Sequence, residues 1–590
     1  MVARALPPEF QPGALRELQI PAALERVYAA RGVDTPAALE AGLNRLLAPA
    51  DLSGLEAAVQ MLVQAINQQQ QIVIVGDFDA DGATGTAVAV RGLRLLGAKN
   101  VRYRVPNRFT HGYGLSPAVV ETLLDDYARD PIAFPLPEVL ITVDNGTSSI
   151  DGVARANLAG MRVLITDHHL PGATLPAAAA IVNPNLLGEV FASKNLCGAG
   201  VMFYLLLALR AKLREAGYFS GTQFKGAPFK GAEPNLSTLI DLVALATVAD
   251  LVPLDRNNRI LVEQGLRRLR AGAGTMGLRA LLATSGTDTA TVCAQDFGFR
   301  LGPRINAAGR LEDMSIGIEC LLTDDPARAR QLAEQLGALN SERRELQAQM
   351  QHEAFAALDK LSLSPNIKGP LPAVIIVADI EWHQGVVGLV ASKLAERFHR
   401  PAVAFAPAAD GWRGSARSIA GFHLRDALAL VDAQNPGLMQ RFGGHAMAAG
   451  MTLSRDQLEA FQHIAPQVFA AALLPEILSE VIYTDGDLSP AEFDVELAQA
   501  IRFGGPWGQA FPEPAFTIDA HIFDVQTLSG GHLRCKVRWG GAAKLVSAVW
   551  FSPDRTKDAV PERARLLVQV AIDEFRGLAS ARLMIRRLLD

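Results

Sequence analysis

Three short stretches hold the residue types that could do chemistry. Asp77, Asp79 and Asp81 alternate in Val75-Gly-Asp77-Phe-Asp79-Ala-Asp81-Gly82. Asp144 follows Val143 and opens Asp144-Asn145-Gly146, and Asp167, His168 and His169 follow Thr166. Each stretch comes just after a short β-branched apolar run. In an open parallel sheet the carboxyl ends of the strands line one crevice, so these acids and the histidine pair would face each other there. Carboxylates at that density cannot all stay ionised unless cations neutralise them. Carboxylate with imidazole suits Mn2+ or Mg2+ better than Zn2+. The ligand count is enough for two ions, as in hydrolytic sites whose ions lie about 3.5–4 Å apart. Taken singly, an Asp after a strand is more often a turn or N-cap residue, and a His pair is as well a core or capping feature. A loop-type calcium site needs a Glu six residues beyond the Gly, where this chain has Val88. Three such stretches in sheet order are what favour the metal reading.

The elements that must position these residues follow from periodicity. Buried-type strands are predicted at 71–75, 139–143, 162–166 and 180–182, an alternating strand at 101–105 and a helix over 83–97. Strands separated by helical patterns predict a parallel α/β sheet. Buried helices are predicted over 201–216 and 236–248. Residues 326–361 hold one glycine, Gly337, and no proline after Pro326, which predicts a long charged amphipathic helix joining two domains. A second α/β segment starts at 373–378, with a helix over 386–397, a strand at 402–406 and a helix over 454–472. After about 480 come short strands at 516–523, 533–537, 548–551 and 566–570, which suit a small antiparallel barrel. The expected layout is a helical lead-in at 1–65, a parallel-sheet domain at 66–325, a connecting helix at 326–362, a second α/β domain at 363–475 and a barrel at 476–590.

Composition agrees with such a chain. Its 590 residues are 49% hydrophobic and 20% charged, with a net charge of −5. That excludes a disordered chain and a globally basic binder, but not a basic channel on an acidic body. Cys197, Cys293, Cys320 and Cys535 form no close pair, which argues against a disulfide framework or a cysteine zinc site. The first residues carry Glu9 and Glu17 without an apolar core, so no signal peptide is expected. The longest apolar run, 198–209, falls short of the roughly 20 residues that span a bilayer. A soluble cytoplasmic monomer with no membrane partner is expected.

Basic residues are segregated. Between Gly82 and Val120 there is no acid, yet Arg91, Arg94, Lys99, Arg102, Arg104 and Arg108 occur there. This run is either a phosphate track or ordinary solvation of a helix and a strand. Arg304, Asn306 and Arg310 cluster around Gly302 and Gly309, whose lack of side chains would let a phosphate backbone approach. In GWRGSARS (411–418), Arg413, Ser415, Arg417 and Ser418 sit in an expected Gly-flexible loop. GGHAMAAG (443–450) is expected to open before a helix and offer N–H groups to an anion. The acid-free run 531–553 interleaves His532, Arg534, Lys536, Arg538 and Lys544 with Trp539, Trp550 and Phe551. That suits either single-strand binding on an OB-fold, with the aromatics stacking on bases, or a barrel core with solvated charges.

The ordered motifs GDFDADG, VDNGT, DHH and ALATVADLVPL resemble those of the DHH phosphoesterase superfamily. PNRFTHGYGLS, GPRINAAGRL, HQGVVGLVASKL, GWRGSARS and GGHAMAAG extend the resemblance over nearly the whole chain, to the RecJ family within it. The resemblance implies a DHH catalytic domain, a DHHA1-type second domain and an OB-like barrel. It implies a single-stranded-DNA-specific 5′→3′ exonuclease of recombination and repair, releasing mononucleotides with one or two Mn2+ or Mg2+ ions. A single-strand-binding protein and a helicase are the implied partners. By motif, Asp79, Asp81, His168 and Asp250 correspond to metal ligands and Asp144 to the bridging one. Asp77 is a further ligand or a carboxylate just outside the set, Asp167 orients a histidine, and His169 faces the scissile phosphate. Many relatives have a His where this chain has Val75, which leaves the first ion's ligand count open. Arg108, His383, Gly444 and His445 fall on the substrate side, and Trp382 is there or in the core. Ser415 and Arg417, with Arg108 or Arg304, are expected to grip a 5′-phosphate; Asn306 and Arg310 accompany them. Arg534, Lys536, Arg538 and Trp539 are expected to bind the strand. The rival readings are a nano-RNA or cyclic-dinucleotide phosphodiesterase, which usually lacks the barrel, and a non-catalytic single-strand-binding scaffold, which would have lost ligands that all stand here.

Overall fold

The computed structural model describes all residues except 109, 221–231, 363–371, 410, 542–543, 552, 554–555, 576–577 and 590. The expected start of the second α/β domain, at 363, lies outside the described residues. Two compact units are present. The first comprises Met1–Gly309, Asp313–Gly337 and Tyr483–Asp590, and the second Arg310–Glu312 and Ala338–Ile482. Among the described residues no single helix is long and apolar enough to cross a membrane.

In the first unit, β1 (Ile72–Gly76), β2 (Val101–Arg104), β3 (Val139–Val143), β4 (Arg162–Thr166) and β5 (Ala180–Val182) form one parallel sheet in the order β2-β1-β3-β4-β5. Both faces are covered, and every residue of β1 and β3 is buried, so these strands read as unbroken apolar runs. The chain turns to opposite sides of β1, and the crevice opens at that switch, outside the carboxyl ends of β1 and β3. Helix α1 (Ala80–Leu95) starts three residues before its predicted place, because Asp79 caps it by accepting from the Gly82 N–H at 3.0 Å. Helix α2 (Gly198–Glu215) also starts early, capped by the Cys197 Sγ. Helix α3 (Ile240–Ala249) is buried on all sides and ends at Asp250. Helices α4 (Arg256–Arg270) and α5 (Gly302–Leu311) complete the part that bears on the site.

The long helix α6 (Pro326–Ser362) forms as predicted, and the divide between the units falls within it at Gly337. The second unit is built on a mixed sheet of β6 (Ile375–Ala378), β7 (Ala402–Ala408), β8 (Gly411–Arg417), β9 (Arg441–Gly444) and β10 (Ala448–Leu453), in the order β9-β10-β8-β7-β6. Helix α7 (Val387–Phe398) covers it, and α8 (Leu458–Ala472) follows. Two expectations fail here. GWRGSARS is not a loop but the central strand β8, paired with β7 and β10. Gly414 is there because a Cβ would lie 2.4 Å from the Phe405 ring. GGHAMAAG opens no helix; it is the β9–β10 hairpin, with Gly443 opposite Gly450 and Gly444 opposite Ala449.

The barrel belongs to the first unit. Strands β11 (Phe516–Thr527), β12 (Leu533–Trp539), β13 (Val546–Trp550), β14 (Arg563–Phe575) and β15 (Leu578–Leu589) close in the order β11-β12-β13-β15-β14. The last strand was not predicted. Its leucines, alanines and arginines are good helix formers, and pairing with β14 and β13 overrides that propensity. The chain start reaches this region too: Val2 and Ala3 pair in parallel with Tyr483 and Thr484, and Arg31 meets Asp485 at 2.7 Å with both side chains buried.

Candidate metal centre

The three acid stretches converge at the carboxyl end of the sheet. Asp77 lies in the turn after β1, Asp79 caps α1 and Asp81 sits in its first turn. Asp144 follows β3 with φ +64°, a left-handed backbone uncommon outside glycine. Gly198 makes room for it, since a Cβ there would stand 2.5 Å from the Asp144 Cβ. The ligand atoms fall into overlapping groups, each within 4.8 Å: Asp77, Asp79 and Asp144; Asp81, His168 and Asp250; and Asp144, His168 and His169. His168 Nε2 lies 3.0 Å from Asp144 Oδ1 and 3.5 Å from Asp250 Oδ2. Asp144 and His168 thus each belong to two groups, the arrangement two neighbouring cations need.

Burial and mutual repulsion set the electrostatics. Asp144 is pushed well above the carboxylate range by burial and then by Asp81 and Asp79. Burial and Asp79 raise Asp77 likewise, and burial, Asp81 and Asp79 raise Asp250. Asp81 rises to about 6 from burial and Asp79, although Gly198 N–H and Ala199 N–H at the start of α2 donate to its two oxygens at 2.6 and 2.9 Å. Among the described residues Asp77 Oδ1 and Asp250 Oδ2 are buried and accept no hydrogen bond, His168 Nε2 standing off from the latter at 3.5 Å. Orphaned oxygens amid other carboxylates fit a hard divalent cation. Asp167 is different. Its oxygens accept from the Thr147, His168 and His169 N–H groups and from His169 Nδ1 at 2.8 Å. Burial alone would raise it, but the His169 bond and charge prevail and hold it at about 2. Burial would lower His169, and Asp167 outweighs that and raises it.

Several residues around the centre had no individual signal in the sequence. The Tyr113 hydroxyl lies 3.2 Å from the Asp144 carbonyl oxygen and 3.2 Å from the His169 ring. Asn183 and Asn185, after β5, donate to the backbone oxygens of His169 and His168. Asn145 donates to the carbonyls of Val75 and Val143 and so ties β1 to β3. Tyr113 stood inside the HGYG string, and an Asn-Pro-Asn run after a strand was the available sign for the other pair.

The basic run divides. Arg91 binds the Leu321 and Leu322 carbonyls and Asp324, Arg94 the Val101 carbonyl, Arg102 the Pro135 carbonyl, and Arg104 the Asp126 carboxylate. These four hold the fold together, so the phosphate-track reading fails for them. Arg108 lies over the Phe78 ring at 4.2 Å, beside the acid loop. Arg304 bonds the Arg300 carbonyl, and Asn306 accepts from the Ala80 N–H at 2.9 Å. Gly309 admits protein rather than phosphate: its Cβ would lie 2.1 Å from the Phe78 carbonyl oxygen.

In the second unit, Arg417 is mostly buried and donates to Ser415 Oγ at 3.0 Å. Gly388 on α7 leaves them room, since its Cβ would lie 2.9 Å from Arg417 Nη2. Arg310 Nη1 donates to the Gly385 carbonyl, and the Gly385 N–H donates to His383 Nδ1. The His445 N–H closes the hairpin on Ala448 O, next to Gly444 with φ +143°. Trp382 is core, buried and bonded through Nε1–H to Glu353. On the barrel, Arg534, Lys536 and Arg538 face outward, with Arg538 over the Phe523 ring. Trp539 is a correction: it points inward and donates to the Leu488 carbonyl at 2.8 Å, so it is no stacking platform.

A parallel sheet with this acid cluster at its switch point, followed by a mixed second domain, is the architecture of DHH phosphoesterases. The family model for the DHH family N-terminal domain matches residues 71–247, that for the DHHA1 domain 372–471, and that for the RecJ OB domain 484–587. The chain is 48% identical over 98% of both chains to a protein of Dickeya dadantii named single-stranded-DNA-specific exonuclease RecJ. It is 47% identical to the Escherichia coli protein of that name, over 96% of both chains. Crystal structures of Thermus thermophilus RecJ with Mn2+ and with Mg2+ match with TM-scores of 0.79 and 0.74, at 29% and 28% identity. Each match covers 99% of this chain, and 78% and 77% of the Thermus chain respectively. The chain belongs to the RecJ family.

Proposed function

We propose that this protein is a metal-dependent exonuclease that degrades single-stranded DNA from the 5′ end and releases mononucleotides. The observation that carries this reading is near-full-length identity of 47–48% to RecJ exonucleases, together with an acid cluster that keeps every expected ligand. Asp77, Asp79, Asp81, Asp144, His168 and Asp250 would hold Mn2+ or Mg2+. The bound cations supply charge that stabilises the phosphodiester transition state and lower the pKa of the attacking water. Asp167 orients the ring of His169 through Nδ1 and favours its protonated form, in which Nε2–H could donate to a phosphate oxygen. The Tyr113 hydroxyl, 3.2 and 3.3 Å from the two ring nitrogens, also restrains the ring. Polarity requires a group that recognises a terminal phosphate. Arg417 with Ser415 offers a charged donor and a hydroxyl suited to that task. Outward-facing Arg534, Lys536 and Arg538 suit the backbone of the strand. Family resemblance alone supports a single-strand-binding protein and a helicase as partners and the cytoplasm as the compartment.

The test is digestion of end-labelled single- and double-stranded DNA with Mn2+, Mg2+ or chelator. Mononucleotides should appear from the 5′ end of single strands only, and only with metal. Asp144→Ala should lose at least about 10³-fold in turnover, near 4 kcal/mol, while single-strand binding persists. Near-parent activity of purified Asp144→Ala would overturn the assignment of Asp144.

A further inference from the structure

The first unit holds a second polar cavity, of about 150 Å³, where segment 38–41, helix α4 and segment 503–511 before the barrel meet. Leu39, Ile260, Phe503 and Pro506 give it an apolar wall, and Arg256, Arg259 and Arg267 line it together with two carboxylates. The two carboxylates at the cavity are already engaged. Glu263 takes Arg267 at 2.7 Å and Arg270 at 3.7 Å, and Glu40 takes Arg45 at 2.6 Å. Arg256 and Arg259, one turn apart on α4, form no ion pair among the described residues.

Arg259 is held in a defined pose. Its guanidinium lies 4.4 Å over the Phe511 ring, which stacks on Trp507 at 5.1 Å, and Trp507 in turn on Tyr28 at 5.9 Å. Of its five N–H donors, one on Nη1 reaches the Leu254 carbonyl, at 3.2 Å. A guanidinium held over a ring face can still turn edge donors toward a tetrahedral oxyanion, which it binds with two parallel bonds. The carboxylate that Arg259 senses, Asp255, is out of ion-pair reach and bonded instead by Ser193, Asn195 and the Asn258 N–H, so an anion in the cavity would offset the cost of burying the guanidinium. Arg256, at the exposed mouth, binds the Ala37 carbonyl through Nη2 and adds a second positive charge.

We infer that this cavity, whose lining shares no residue with the acid cluster, is an anion site that takes the phosphate of inorganic phosphate or of a deoxynucleoside monophosphate, with Arg259 and Arg256 as its cationic ligands. The space suits one phosphate or one ring, about the size that holds a benzene in an engineered cavity. The nucleotide source rests on the reading that the enzyme releases mononucleotides; the free phosphate source does not.

The experiment is calorimetric titration of the full chain with inorganic phosphate and with dAMP, in EDTA so that the acid cluster cannot compete through metal. The parent should bind each ligand saturably at one site. Loss of a charged bond predicts about 10- to 150-fold weaker binding for Arg259→Gln. Arg256→Gln, at the solvent-exposed edge, should weaken binding several-fold and decides the question should Arg259→Gln melt lower than the parent without ligand. Tighter binding of dAMP than of phosphate makes the nucleotide the source; equal binding makes it the free ion. Absence of saturable binding, or parent affinity in both variants, overturns the site. No turnover is measured, so that failure would leave the exonuclease reading intact, and failed digestion would leave the phosphate titration valid.

Discussion

A methyl group on Gly198 would lie 2.5 Å from the Cβ of Asp144. The start of α2 therefore fits against the strained turn that carries the central carboxylate, and the Gly198 N–H also grips Asp81. Gly198→Ala must displace one or the other. A shift of about 1 Å at a reacting centre can cost about 100-fold. Turnover with Mn2+ should fall by that order, with a weaker Mn2+ affinity by titration. Parent turnover and affinity in Gly198→Ala would show that the crevice tolerates displacement of Asp144.

Stability of the metal-free protein should depend on pH in an unusual direction. Burial and Asp79 raise Asp81 from 3.8 to about 6 in the folded chain. The folded state then binds more protons than the unfolded state between about pH 4 and 6, so stability rises as pH falls through that window. His169, also raised, acts in the same direction. Asp167, lowered from 3.8 to about 2, loses its contribution as pH falls from about 4 through 2, below the window. Thermal unfolding in chelator should thus give a higher Tm near pH 5 than near pH 7.5, and Mn2+ should narrow the gap. Parallel profiles with and without Mn2+ would count against the cluster as the binding site.

Arg417→Ala should lose about 10- to 150-fold in kcat/KM on 5′-phosphorylated strands, the range of one charged hydrogen bond. The loss should shrink on strands with a 5′-hydroxyl, where the partner is missing in both proteins. Equal losses on the two substrates would move end recognition away from Arg417.

On the barrel, position decides which residue serves the strand. Trp539→Ala removes a buried ring and its bond to Leu488, and should cost about 3–5 kcal/mol of stability. The milder Trp539→Phe should leave affinity for a long single strand unchanged. Arg538→Ala, outside, should keep the Tm and lower the salt slope of binding by about 0.7. A lower strand affinity for folded Trp539→Phe with an unaltered slope for Arg538→Ala would reverse the assignment.

The sequence made the acid cluster legible because each aspartate ends a buried β-branched run, and a parallel sheet gathers such ends. Asp250 had no such sign: it terminates a buried, mostly apolar helix, and only motif resemblance singles it out. The inward place of Trp539 is legible in the strand pattern. In 533–539 the cations occupy alternate positions and Trp539 shares the other parity with Leu533, Cys535 and Val537, hence the inner face. The β8 strand was misread because two glycines in seven residues resemble a turn, whereas Gly414 is there to admit Phe405 and Met451. Tyr113 and Gly198 act through neighbours far off in the chain, which periodicity cannot register.

The ion pair of Arg31 with Asp485 spans 454 residues. During synthesis the partner of Arg31 is made long after Arg31 itself, by on the order of 20–90 s at about 5–20 residues per second. Throughout that delay Val2 and Ala3 also lack the strand they pair with at Tyr483. The ribosome thus releases the beginning of the molecule as a waiting strand, and ribosome-bound chains halted before residue 485 should leave Arg31 open to proteolysis in its vicinity.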